Sequence, residues 1–266
     1  MNILYIGDIM GAVGVEVVEQ LLPNLRETEA LDLVIAQAEN VTGGRGLTPK
    51  DYNRLRSAGV DFCTGGNWSL YHHSIIPLMN DQVEPVIRPA NYPSGTPGLG
   101  YKYIDTQTGR VLVVSLLGQI VGKDSDKKLV NPLQCIDNIL EKEKQTERVG
   151  TIVNFHGDFS SEKVIIGHYL DGRVTAVIGD HWHVQTADER ILPSGTAHIT
   201  DVGMCGVLNS SLGISFDSVI PRWREGQKTK NLLETNKPWQ FNAVKITTDR
   251  DGSAIGIKRI HITIPT

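Results

Sequence analysis

The first 64 residues alternate apolar strand-like segments with amphipathic helical patterns, and this alternation limits the fold more than any other feature of the chain. Strand-like segments lie at residues 2–7, 32–38 and 60–64. Between them, valine and leucine recur at helical spacing over residues 17–25, and a second helix is expected over residues 49–59. A β-α-β-α-β order predicts a largely parallel sheet with helices packed on it.

The remainder of the chain continues this pattern and ends in a hairpin. A loop rich in proline and glycine is expected at 88–100, and helices are expected from Pro132 and over 161–170. Further strands are predicted at 111–117, 150–155, 174–178 and 197–202, with a hairpin of 241–247 and 254–264. Since there is no internal repeat and no linker long enough to separate two units, we predict a single α/β domain over residues 1–266.

Charge and apolar patterning exclude several classes of protein. The 266 residues carry a net charge of −4, without the basic excess of domains that bind nucleic-acid backbones, so stable binding of a duplex is not expected. The chain has no run of 18 apolar residues and no basic signal-peptide start, which argues against a membrane partner. Three widely spaced cysteines without a C-x-x-C pair predict reduced thiols. We therefore expect a cytoplasmic protein.

Side chains that can bind metals follow five of the predicted strands, at the point where each strand ends. In α/β sheets, functional sites form beyond the carboxyl ends of the strands. Carboxylate, amide and imidazole groups without a thiolate are ligands for first-row divalent metals such as manganese, iron or zinc. Seven ligands exceed what one ion needs, so a pair of ions that share a carboxylate fits better. The seven side chains are Asp8, Glu39, Asn40, Asn67, His156, His181 and His183.

Several of these positions also have a simpler interpretation. Asp8 could cap the helix that follows it, and Asn67 could be a turn residue after two glycines. His156 could be a hydrogen-bonded histidine of the core, and the His181-x-His183 pair is a weak signal when taken alone. Their joint occurrence after five separate strands favours a metal centre over these separate explanations.

The motifs at the strand ends resemble those of the calcineurin-like metallophosphoesterase superfamily. That superfamily has Gly-Asp, a second acidic motif, Gly-Asn-His, a lone His and Gly-x-His-x-His, each after a strand. The Glu39-Asn40 pair is similar to the second motif of the bacterial branch of cyclic-nucleotide phosphodiesterases. Segments that match this branch extend over nearly the whole chain, at 43–47, 86–91, 95–98, 160–163, 183–188 and 200–204.

The resemblance implies a fold, a cofactor and a ligand assignment. The fold would be a four-layer sandwich of two mixed β-sheets flanked by α-helices, and the cofactor would be two divalent transition-metal ions, with iron or manganese favoured over zinc. Glu39 would bridge the two ions together with a water or hydroxide that acts as the nucleophile. The remaining ligands would be Asp8, Asn40 and His183 for one ion, and Asn67, His156 and His181 for the other.

One position departs from the family pattern. Where relatives have the His of Gly-Asn-His, which donates a proton to the leaving alkoxide, this chain has Trp68. An indole N–H releases no proton at useful pH, and loss of a general acid costs about 10²–10⁴-fold in rate. If a helix begins here, His72 lies one turn beyond Trp68 and could supply the proton; otherwise His72 and His73 face solvent. Asp180 and Trp182 replace a small Thr of relatives, and Trp182 would either crowd the pocket or offer a stacking face for a base.

These observations favour a metal-dependent phosphodiesterase that hydrolyses a small phosphodiester, with a 2′,3′-cyclic nucleotide as the expected substrate. The alternative is a catalytically weakened homologue that binds metal and nucleotide as a regulatory protein, which the Trp68 substitution motivates. A purely structural scaffold is disfavoured because it would need none of the seven ligands. We expect a homo-oligomer whose partners are limited to the phosphodiester or nucleotide substrate.

Overall fold

The computed structural model describes residues 1–121 and 128–266, which form thirteen β-strands and six α-helices. The first strands are β1 Asn2–Ile6, β2 Asp8–Ile9, β3 Leu33–Gln37, β4 Phe62–Thr64, β5 Tyr101–Thr106 and β6 Gly109–Leu117. The later strands are β7 Gly150–His156, β8 Ala176–Asp180, β9 Arg190–Ile191, β10 Ala197–Ile199, β11 Met204–Val207, β12 Trp239–Thr248 and β13 Ala254–Ile264. The helices are α1 Gly11–Thr28, α2 Pro49–Ala58, α3 Ile76–Asn80, α4 Pro132–Lys142, α5 Ser160–Tyr169 and α6 Phe216–Glu225.

The strands form two mixed sheets. In the seven-stranded sheet, the order is β2-β11-β12-β1-β3-β4, and β13 pairs with β12. Strands β1, β3 and β4 are parallel, whereas β12 is antiparallel to β1. In the six-stranded sheet, the order is β5-β6-β7-β8-β10-β9, with parallel pairing from β6 to β10 and an antiparallel strand at each edge. The parallel β-α-β-α-β unit predicted for the first 64 residues is confirmed.

Alternation along the strands divides the core into layers. Ile3 and Tyr5 of β1 point toward the second sheet and pack in one cluster with Val113 of β6, whereas Leu4 and Ile6 point the other way and pack under α1 and α2. This two-residue period is the ordinary consequence of strand geometry. The outer face of the second sheet packs in the same manner against α4 and α5. The order helix, sheet, sheet, helix confirms the predicted four-layer sandwich.

The structure also contains elements that the sequence patterns did not predict. The strands β2, β5, β9 and β11 and the helices α3 and α6 were absent from the prediction. The predicted C-terminal hairpin is present, and its first strand, β12, lies inside the sheet between β11 and β1. Strand pairings of this kind join residues that are more than two hundred positions apart, such as Asn2 and Thr247.

Candidate metal centre

The carboxyl ends of the central strands bring the predicted ligands to one end of the sandwich. Asp8 begins β2 just after β1, Glu39 and Asn40 follow β3, and Asn67 follows β4 after two glycines. From the second sheet, His156 ends β7, and His181 and His183 follow β8. Both sheets therefore contribute side chains to the same site.

A first group of side chains surrounds His156. Its Nε2 atom lies 2.9 Å from Glu39 Oε1 and 3.0 Å from Asn67 Oδ1. The imidazole rings of His156 and His181 have centroids 4.4 Å apart. Ligand atoms of Glu39, His156 and His181 all lie within 4.8 Å of one another, which is compatible with a single bound cation. A Cβ at Gly66 would lie 2.5 Å from Glu39 Oε2, so only glycine leaves this space open.

A second group lies beside the first. Its members Asp8 and Asn40 each have a buried side-chain oxygen, Oδ1, with no hydrogen-bond partner in the described part of the chain. The separation of 3.7 Å between His183 Nε2 and Asp8 Oδ1 is too long for a hydrogen bond. His183 instead donates from Nδ1 to the carbonyl of Leu212 at 3.1 Å, which leaves Nε2 directed toward Asp8. Buried oxygens without a donor are unfavourable, and a cation between these side chains would satisfy them.

The pKa values of the carboxyl and imidazole groups reflect this crowding. Burial, together with the nearby charge of Asp180, raises the pKa of Asp8 well above its usual range. Burial alone would lower the pKa of His156, but the carboxylates of Glu39 and Asp180 outweigh it and raise that pKa. Burial lowers the pKa of His181 and of His183 to about 4. At neutral pH the two histidines are therefore unprotonated, the form that binds a metal.

Asp180 contacts the His156 ring on the side opposite to Glu39 and Asn67 and holds it in place. Its Oδ1 atom lies 2.7 Å from His156 Nδ1, which leaves Nε2 directed at Glu39 and Asn67. Its Oδ2 atom accepts hydrogen bonds from Tyr5 Oη at 3.0 Å, Gln37 Nε2 at 3.0 Å and Asn154 Nδ2 at 2.5 Å. A carboxylate behind a ligating histidine fixes the ring orientation and raises its basicity.

The backbone that carries the His-x-His pair is held in a conformation that few residues adopt. His181 has φ 101° and His183 has φ 61°, both in the left-handed region. For residues with a side chain, this conformation costs about 1–3 kcal/mol and persists only where the surroundings enforce it. The bend directs both imidazole rings toward the ligands of the first sheet, His181 toward Glu39 and His183 toward Asp8.

A buried ion pair enforces this bend. Lys163 Nζ of α5 lies 2.7 Å from Asp201 Oδ2 and donates to the carbonyl oxygen of Asp180 at 2.6 Å. Asp201 in turn accepts hydrogen bonds from the main-chain N–H groups of Trp182 and Gly203, each at 2.9 Å. The pair therefore holds the main chain on both sides of His181, within the His181–His183 turn.

A cavity of about 1350 Å³ lies above the ligands. Its lining includes Glu39, Asn40, Asn67, His181 and His183, whereas Asp8 and His156 lie beneath its surface with no exposed area. The site is therefore reached from solvent through this cavity, which is lined by Glu39 and two of the histidines.

Trp68 lines this cavity, and its main chain and its indole ring both contact neighbouring residues. Its main-chain N–H donates to Glu39 Oε2 at 2.8 Å, so this residue helps to fix the carboxylate. The Arg45 guanidinium lies 4.8 Å from the centre of the indole ring, and the Tyr71 ring meets it edge to face at 5.6 Å. The indole thus presents an aromatic surface with a cation beside it.

His72 lines the same cavity, although not in the way that a helix would place it. Residues 67–70 form a turn, and the first helical residues are those of the 3-10 helix His73–Ile75. His72 is half-buried, and its Nε2 atom has no hydrogen-bond partner among the described residues. His73 is exposed and does not line the cavity.

Two further side chains complete the far side of the site. Trp182 lines the cavity, donates from Nε1 to the carbonyl of Asp158 at 3.0 Å, and has Lys163 Nζ 4.0 Å from its ring centre. Asp158 Oδ1 lies 3.2 Å from His181 Nε2. Sequence reasoning had not included Asp158, Lys163 or Asp201 in the site, because none of them belongs to a motif with metal-ligand spacing.

Comparison with known proteins assigns a family. The profile of the YmdB-like protein family matches residues 4–260. A relative from Bacillus subtilis (strain 168), named 2′,3′-cyclic-nucleotide 2′-phosphodiesterase, is 36% identical over 262 residues, which cover 98% of this chain and 97% of the relative.

Solved structures agree with this match. A hypothetical protein from Thermus thermophilus is 35% identical, with a TM-score of 0.91 and full coverage of both chains. A novel phosphatase from Mycoplasma pneumoniae is 30% identical, also with a TM-score of 0.91, and the match covers 100% of this chain and 94% of that one. The layered architecture described above is thus shared with proteins of the metallophosphoesterase fold.

Proposed function

Because the chain belongs to the YmdB-like family, we propose that it is a metal-dependent phosphodiesterase that hydrolyses a small phosphodiester, with a 2′,3′-cyclic nucleotide as substrate. The observation that carries this proposal is the cluster of Glu39, His156 and His181 beneath an open cavity. The name of the Bacillus subtilis relative supports the choice of substrate, since that relative matches nearly the whole chain.

We propose that two divalent cations bind at this centre. The orphaned oxygens of Asp8 and Asn40, together with His183, fit one cation, and Asn67, His156 and His181 fit the other. Glu39 contacts His156 of the second set at 2.9 Å, and its charge acts on Asp8 and His183 of the first, so we propose that it bridges the two cations. The donor set of carboxylate, amide and imidazole groups without a thiolate suits manganese, iron or zinc, and the family resemblance favours iron or manganese among them. When bound, such cations lower the pKa of a water molecule and stabilise negative charge on the phosphodiester.

The side chains of the protein prepare the centre for this chemistry. The N–H of Trp68 and the carboxylate of Asp180 fix Glu39 and His156, so that little reorganisation is needed when an anion arrives. Arg45 is exposed beside the indole of Trp68 and can contact an anionic phosphodiester. The leaving alkoxide needs a proton that Trp68 cannot supply. His72 lines the cavity and is not a proposed metal ligand, so its imidazole is the candidate proton donor.

A second candidate function follows from the same tryptophan. If no other group replaces the missing proton donor, the protein would bind metal and nucleotide with little turnover, as a regulatory protein. Turnover of 2′,3′-cyclic AMP by the metal-loaded protein, compared with its binding affinity for the same nucleotide, separates the two functions. Binding without turnover would favour the regulatory one.

The metal centre is tested by elemental analysis of protein purified without chelator. We expect about two transition-metal ions per chain, a loss of both in Glu39→Ala and a loss of one in Asn40→Ala. Glu27→Ala, at an exposed position of α1, is the matched control and should keep wild-type metal content and activity. A metal content near zero that stays there after addition of manganese or iron would refute the proposal.

Further expectations concern the organisation and location of the protein. We propose that residues 1–266 act as one domain, since both sheets contribute ligands to the site.

We also propose a cytoplasmic location, which the free cysteines Cys63, Cys135 and Cys205 support. In residues 1–121 and 128–266, no helix has both the length and the apolar character that crossing a bilayer requires. Homo-oligomerisation stays a prediction.

A further inference from the structure

One wall of the cavity extends well beyond the proposed metal ligands. It is built by α6 and by the chain after it, and its lining includes Val219, Arg222, Trp223, Thr229, Lys230, Asn231 and Leu233. The segment just before α6 is attached to the site, because the carbonyl of Leu212 accepts the hydrogen bond from His183. Leu233 lies over Gly44, where a Cβ would come within 3.0 Å of its side chain.

The size of the cavity exceeds what a small ligand needs. Pockets for small molecules typically measure about 300–1000 Å³, whereas this one measures about 1350 Å³. A cyclic mononucleotide bound at the metal ligands would therefore leave the wall formed by α6 uncovered. The open space is continuous with the reaction site, so a longer substrate can occupy both.

Aromatic side chains line this space at both ends. Trp68, Tyr71 and Trp182 lie near the ligands, and Trp223 lies on α6. Trp223 is 84% exposed, and Tyr71 is 52% exposed. Stacking on exposed aromatic rings is the main way in which proteins bind the bases of single-stranded nucleic acids.

Cationic side chains accompany the aromatic ones. Arg45, Arg222 and Lys230 line the cavity, although the chain as a whole has a net charge of −4. Arg222 is held in position by hydrogen bonds to Thr229 O at 3.0 Å and Asn231 Oδ1 at 2.8 Å. Apart from Glu39 and Asp158 at the proposed metal centre, the described lining contains no acidic side chain. The wall is thus complementary to a phosphate backbone.

We propose, on the basis of the function proposed above, that the substrate is the 3′ end of a single-stranded RNA that carries a terminal 2′,3′-cyclic phosphate. The reacting group is the same as in a cyclic mononucleotide and lies at the metal ligands. The nucleotides on its 5′ side contact the wall, with bases stacked on Trp223 and phosphates near Lys230 and Arg45. A duplex end lacks unstacked bases and does not fit this arrangement.

The test compares two substrates of the metal-loaded protein: 2′,3′-cyclic AMP and a pentaadenylate that ends in a 2′,3′-cyclic phosphate. We expect kcat/KM to be at least about fivefold higher for the pentanucleotide, the gain from one stacked base. Trp223→Ala should reduce this ratio by at least about fivefold, and Lys230→Ala should reduce it in the same direction. Ile220→Ala and Lys228→Ala, exposed neighbours outside the cavity lining, are the matched controls and should keep the wild-type ratio.

The possible results distinguish this inference from the proposed function. Equal kcat/KM for the two substrates would refute the RNA substrate and leave the phosphodiesterase intact. If neither substrate turns over, the phosphodiesterase is refuted, and fluorescence anisotropy of the pentanucleotide tests the wall separately. Binding that is tighter than that of cyclic AMP and lost in Trp223→Ala would then support it. A change in molecular mass in Trp223→Ala, with an unchanged substrate ratio, would instead assign the wall to an interface between copies of the chain and overturn the inference.

Discussion

Replacing Lys163 by methionine tests whether the buried ion pair holds the His181–His183 turn. Lys163 and Asp201 have no exposed side-chain area, and their charged atoms are 2.7 Å apart. Methionine keeps most of the length and the apolar stem but removes the ammonium group. The substitution leaves the carboxylate of Asp201 buried with two main-chain donors, and it leaves the carbonyl oxygen of Asp180 without the lysine donor.

The expected cost follows from these contacts. Removal of one partner of a buried ion pair costs about 3–5 kcal/mol, because the other charge stays buried. Two N–H groups still donate hydrogen bonds to Asp201 in the variant, so the cost should be at the lower end of this range. We therefore expect the free energy of unfolding to fall by about 3 kcal/mol. For a chain of this size, that corresponds to a decrease in Tm of roughly 6–12 °C.

The assay is urea denaturation of the metal-free protein, followed by far-UV circular dichroism. Lys245→Met is the matched control, because Lys245 and Glu29 form an ion pair of 2.8 Å whose side chains are 19% and 27% exposed. Such a pair is worth about 1 kcal/mol or less. A manganese titration of each variant reports on the metal ligands, and Lys163→Met should weaken binding more than Lys245→Met. If the two variants lose the same stability and bind manganese equally, the ion pair does not hold the turn.

Three further predictions concern the site. Trp68→His should accelerate hydrolysis of the cyclic nucleotide by about 100-fold, because it restores a proton donor for the leaving alkoxide. It should barely affect an activated aryl phosphodiester, whose leaving group needs little protonation. Equal acceleration of both substrates would mean that Trp68 only narrows the cavity. In the metal-free protein, burial lowers the pKa of His181 and His183 to about 4, so both stay neutral below pH 6.5, where unfolded histidines take up protons. These two groups should therefore lower the stability between pH 6.5 and about pH 4, by up to about 3 kcal/mol for each histidine, whereas the raised pKa values of Asp8 and Asp201 act in the opposite direction. Comparison with His183→Ala isolates the histidine contribution: the Tm of the variant should fall less over this range than that of the wild type, and an equal fall in both would contradict the assignment. Asp180→Asn should weaken manganese binding about 10- to 100-fold through loss of the His156 orientation, and an unchanged affinity in a titration would show that the ring is held otherwise.

The ligands could be predicted from the sequence because strand ends are local features. Short, nearly continuous apolar segments identify β1, β3, β4, β7 and β8, and the carboxyl ends of parallel strands meet at one edge of each sheet. A polar residue at such an end is therefore visible without knowledge of the fold. The four-layer order was predicted from the resemblance to the metallophosphoesterase superfamily. The pattern of apolar segments alone does not show how two sheets face each other.

The supporting residues could not be predicted, for a different physical reason. Lys163 lies on a helix whose pattern is ordinary, and its role depends on a contact with Asp201, 38 positions away in the chain. Burial, which turns these two charges into a strong interaction, is a property of the packed structure. The helix α6 was missed because its apolar residues, including Trp223 and Ile220, face outward and produce no core pattern.

The position of β12 has a consequence for the order in which the molecule can be built during synthesis. β12 pairs with β1 from Asn2↔Thr247 to Ile6↔Ala243, so the second strand beside β1 leaves the ribosome more than two hundred residues after β1 itself. Until then, β1 has an unpaired edge, which is a surface for pairing with other chains. Contacts of such long sequence separation slow folding. The nascent chain therefore cannot close its first sheet, or complete the pairing of β11 that anchors Asp8, until β12 has been synthesised.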